Sequence, residues 1–72
     1  MQSATEKLAE ARTSLHTAVA AVDDSHYRRQ HAHHAATLAA DVTLSADATA
    51  DQKRTASIYL DQAVGMRRQG GQ

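Results

Sequence analysis

The chain has 72 residues, enough for one small domain, and its eight Lys+Arg are balanced by eight Asp+Glu for a formal net charge of zero. That balance excludes a global field able to hold a polyanion or an acidic membrane, and the absence of cysteine excludes disulfides, thiolate metal sites and thiol chemistry. No apolar run approaches the roughly 20 residues that span a bilayer, and Met1-Gln2-Ser3 opens no signal peptide; a cytoplasmic protein or a component of a soluble assembly is expected.

Proline is absent, glycine is confined to Gly65, Gly70 and Gly71, and alanine, the strongest helix former, is the commonest residue. No β-branched run alternates with period two, so the expected class is all-α. The first apolar stripe is Ala4, Leu8, Ala11, Leu15, Ala18 and Val22, with Val19 beside it; the 4-3-4-3-4 spacing predicts a helix over about 4–22. Ser3 with Glu6 three residues on reads as its capping box.

The second stripe is Tyr27, His31, His34/Ala35, Leu38 and Val42, on a helix expected over about 26–44. Carried on one unbroken helix, it would lie roughly 160° around from the first. One straight rod could then bury both only by serving two partners. Asp23, Asp24 and Ser25 supply cap chemistry for a break instead, and Asp24 with Arg28 would make a favourable i,i+4 pair. After a polar connector at 45–48, Thr49 with Gln52 is a second capping box, opening a helix over about 50–68. Its apolar arc holds Ala56, Tyr59, Leu60, Ala63, Val64 and Met66; Ile58 lies well off it. Arg67 and Arg68 suit the negative end of the helix dipole, and residues 70–72 read as a flexible tail to a single domain over 1–69. The three segments predict a small antiparallel three-helix bundle.

The core of such a bundle is thin, because alanine removes little apolar surface per residue and neither Phe nor Trp is present. Self-association is the expected remedy: a homo-oligomer, a dimer first of all, or docking within a larger protein assembly. Core and interface positions are read as Leu8, Leu15, Val22, Tyr27, His31, Leu38, Leu60 and Val64.

Three chemical sites compete with that reading. The stretch His26 to His34 places His31 and His34 as an i,i+3 pair, which Asp41 and His16 could extend toward a tetrahedral site for zinc or another divalent metal. A seam that buries imidazoles is also expected to loosen on acidification, since burial disfavours the charged form. The third helix, taken as a helix-turn-helix reader, would present Lys53 and Arg54 to DNA, with Arg67 and Arg68 on phosphates. Catalysis is not expected: no Gly-rich phosphate loop, nucleophile elbow or HExxH motif is present, and so small a bundle is expected to lack a pocket of about 300 Å³. The reading favoured by these residues is a non-enzymatic protein–protein interaction or assembly module.

Overall fold

The chain reverses at Asp24. A computed structural model describes residues 2–21 and 23–70, with side chains at 67, 69 and 70 left aside. Three helices follow in order, α1 (Ala4–Ala20), α2 (Ser25–Leu44) and α3 (Ala50–Gly70), with no strand among the described residues. The break between α1 and α2 falls where the stripe changes sides. Ala21 leaves the helical region at φ −85°, ψ 60° while its N–H still reaches the Thr17 and Ala18 carbonyls. Asp24 then takes extended geometry, and the Tyr27 N–H donates to its Oδ1 at 3.0 Å. An uninterrupted rod is ruled out.

The expected Asp24–Arg28 ion pair is not formed: Asp24 Oδ1 accepts from the Tyr27 N–H, and Arg28 Nε is buried with no partner among the described residues. Removing the cap has a defined cost. Asp24→Ala is expected to lower stability by about 1 kcal/mol, or roughly 4–8 °C in the thermal midpoint for a domain of this size. A circular-dichroism melt unchanged to within a degree would contradict it.

The other two starts are also capped. The Glu6 N–H donates to Ser3 Oγ at 3.1 Å. At α3 the capping box closes in both directions, Thr49 N–H to Gln52 Oε1 at 2.9 Å and Gln52 N–H to Thr49 Oγ1 at 3.1 Å. Gln52 Nε2 also donates to Thr5 Oγ1 at 3.0 Å, tying the start of α3 to the start of α1. Lys7 Nζ lies 3.9 Å from Asp41 Oδ2, and Glu10 Oε1 lies 3.8 Å from His34 Nε2, so α1 and α2 run antiparallel. α1 and α3 therefore point the same way.

Seven alanines are wholly excluded from solvent: Ala11, Ala18, Ala32, Ala35, Ala39, Ala56 and Ala63. They recur at three-, four- and seven-residue intervals, which stacks them on one face of each helix and lets the axes approach closely. One cluster joins Ala11, Leu15, Ala35, Ala36, Leu38 and Ala63; a second joins Ala39, Val42 and Ala56, with Leu8 packed against it. Tyr59 and Leu60 touch both. α2 packs extensively on both neighbours, whereas α1 and α3 meet over a much smaller surface.

The buried face of α2 is Ala32, Ala35, Ala36, Leu38, Ala39 and Val42. Relative to the stripe expected through Tyr27 and His31, it is turned by roughly 60° at ~100° per residue. Two flanking helices need a wide, shallow face, which small side chains supply and an imidazole and a phenol do not. Tyr27 and His31 are displaced to its margin, stacked edge-on with ring centroids 4.4 Å apart.

Candidate interaction surface

Of the positions expected to form the core, Leu15 and Leu38 are buried, and Leu8 and Leu60 are half-buried against the clusters. Tyr27 and Val64 are 45% and 36% exposed and lie outside the buried clusters of one chain. His31 is only half-buried, and Val22 lies outside the described residues. Leu44, the last residue of α2, is 85% exposed.

The metal set does not assemble. Among the described residues no group of three His, Cys, Asp or Glu side chains could hold an ion. Asp41 follows His34 by seven residues, about 10 Å along the axis at 1.5 Å per residue, too far to share a ligand sphere of about 2 Å radius. Asp41 sits beside Lys7, His34 beside Glu10, and His16 lies in the separate groove described below. Within one chain His31 is half-buried and His34 exposed.

The DNA-reading residues are also dispersed. Arg54 Nη1 lies 3.3 Å from Asp51 Oδ1, Lys53 is half-buried about 100° around the helix from Arg54, and exposed Arg68 is roughly 21 Å further along the axis. The Arg67 side chain lies outside the described ones. His26, Arg29, Gln30 and His33 line a shallow depression on the outer side of α2, open to solvent.

The limited contact between α1 and α3 leaves a groove of about 470 Å³ along the bundle. Its size corrects the expectation that so small a bundle lacks such a volume, but the hollow is open along one side and does not enclose a ligand. Leu15, His16 and Val19 form one wall, and Asp61, Gly65 and Met66 the other. Val19 is 60% exposed, and Ile58, which lies one helical turn before the groove-lining Gln62, is 52% exposed. A side chain's first carbon added at Gly65 would meet nothing within 4 Å, so the outer surface of α3 is bare there. Sequence reasoning missed Asp61 and Gly65 as a site. The available signal was a glycine in a helix interior, seven residues after an isoleucine standing off the core arc.

Among the described residues no helix is long and apolar enough to cross a membrane. No family model, curated protein or solved structure matches this chain.

Proposed function

We propose that this chain is a non-enzymatic protein–protein interaction module, an assembly, adaptor or accessory subunit that associates with itself. One observation carries the reading: among the described residues the wholly buried positions are alanines and a single valine, while Val19, Tyr27, Leu44, Ile58 and Val64 keep much of their apolar surface in solvent. The usual order is the reverse, because large side chains contribute most when buried, at about 25 cal/mol per Å². A chain that uses alanines for its closest helix contacts and leaves these five larger side chains outside is suited to covering them against another molecule. Its expected setting is the cytoplasm or a soluble assembly.

Sedimentation of the full chain across the micromolar range tests this. The expected result is reversible association, with a thermal midpoint that rises with protein concentration. A monomer melting cooperatively at the same temperature throughout would overturn the reading. A salt-sensitive gel shift with duplex DNA would point to the regulator instead; a midpoint raised by zinc and lowered by chelator would point to the metal-dependent dimer.

A further inference from the structure

We infer that the α1/α3 groove is the interface between two copies of this chain, related by a two-fold axis parallel to the helices, with His16 of each facing Asp61 of the other. The inference rests on the self-association proposed above and adds the surface and the geometry. Three observations carry it.

The first is charge. The α1 wall carries His16 and the α3 wall carries Asp61. Neither His16 nor Asp61 makes an ion pair within the chain among the described residues. A face with a base on one wall and an acid on the other is complementary to itself under only one of the two possible two-fold arrangements. An axis perpendicular to the helices lays α1 on α1 and brings like groups together. An axis parallel to them lays α1 of each copy on α3 of the other. Because His16 and Asp61 line the same stretch of groove, the second arrangement sets them opposite one another twice, as an isologous contact requires. An imidazole N–H donates to a carboxylate in either protonation state of the ring, so the pairing does not depend on charge alone.

The second is shape. Gly65 leaves a bare strip on α3, flanked by Val19 across the groove and by Ile58 two turns earlier on the same helix. A helix from a second copy can approach α3 closely over the glycine while the two larger side chains cover its flanks. The third is area. A stable interface needs about 800 Å² from each partner. That is roughly a sixth of the chain's 4733 Å² surface.

The test uses the full chain and four variants, with self-association read by sedimentation equilibrium and folding by circular dichroism on the same samples. Val19→Glu is expected to weaken dimerisation at least about tenfold with helicity retained. His16→Asp alone is expected to be weakened likewise, since it sets carboxylate against carboxylate twice, and Asp61→Arg alone because it removes the acceptor of the His16 N–H at both contacts. An equimolar mixture of these two is expected to recover the dimer, because a heterodimer then holds one Asp–Arg contact and one native His–Asp contact. Arg29→Glu, on the outer side of α2, is expected to dimerise as the parent does. If the parent dimerises and the three groove variants do so equally well, or if the mixture stays monomeric, this interface is overturned while self-association stands. If the parent itself is monomeric, self-association fails as well.

Discussion

Leu38→Ala is expected to leave the chain largely unfolded at room temperature. Leu38 is only 7% exposed and joins α2 to the cluster containing Leu15, Ala35 and Ala63. The buried residues that share its cluster are alanines apart from Leu15, and alanines have no rotamers with which to fill the space left behind. Truncation therefore removes the transfer contribution of the lost methyl groups and leaves most of the cavity, a cost of about 2–5 kcal/mol. A single core in a domain of this size rarely supplies more than about 3–5 kcal/mol net, so one substitution can consume the whole margin. Urea titration with far-UV detection at low concentration measures this directly. The control is Leu44→Ala at the open end of α2, where 85% exposure predicts a change within about 0.5 kcal/mol. Equal effects at the two leucines would refute the packing described here.

Ala35→Leu is expected to destabilise nearly as much, although it adds apolar surface. Ala35 is wholly excluded from solvent and shares a cluster with Ala11 of α1 and Ala63 of α3. The same change on an open site would gain roughly 0.8 kcal/mol per buried methylene. In a close seam the extra carbons have no volume to enter, so either the rotamers strain or the helices separate and lose contact along their length. Overpacking of this kind costs about 1–3 kcal/mol, and here the shift would propagate to the facing alanines of both neighbours. A broad, weakly cooperative melt with retained helicity is the expected signature. A sharper melt at higher temperature would mean that the seam has slack.

The residues most legible from the sequence were those whose role is local. Ser3, Asp24 and Thr49 cap helices because their side-chain oxygens reach an N–H three residues on, a geometry set by the chain itself. Spacing likewise revealed Leu15 and Leu38. His31 and Tyr27 were misplaced because a stripe read from hydropathy assumes one partner per helix, whereas α2 has two and buries the alanines between them. The α1/α3 groove was not legible at all. Its walls come from segments some 45 residues apart, brought together by two chain reversals.

The amino-acid sequence alone determined the number of helices, roughly where each begins and that a break between the first two would fall at Asp23-Asp24-Ser25, because propensity, capping and the rotation of an apolar stripe act over a few residues. Only the tertiary structure decided which face of α2 lies inside, which large side chains remain in solvent and that α1 and α3 stand apart. Those outcomes depend on how three cylinders share a limited interior: the two closest pairs use the alanine faces, and the third pair is left with an open seam.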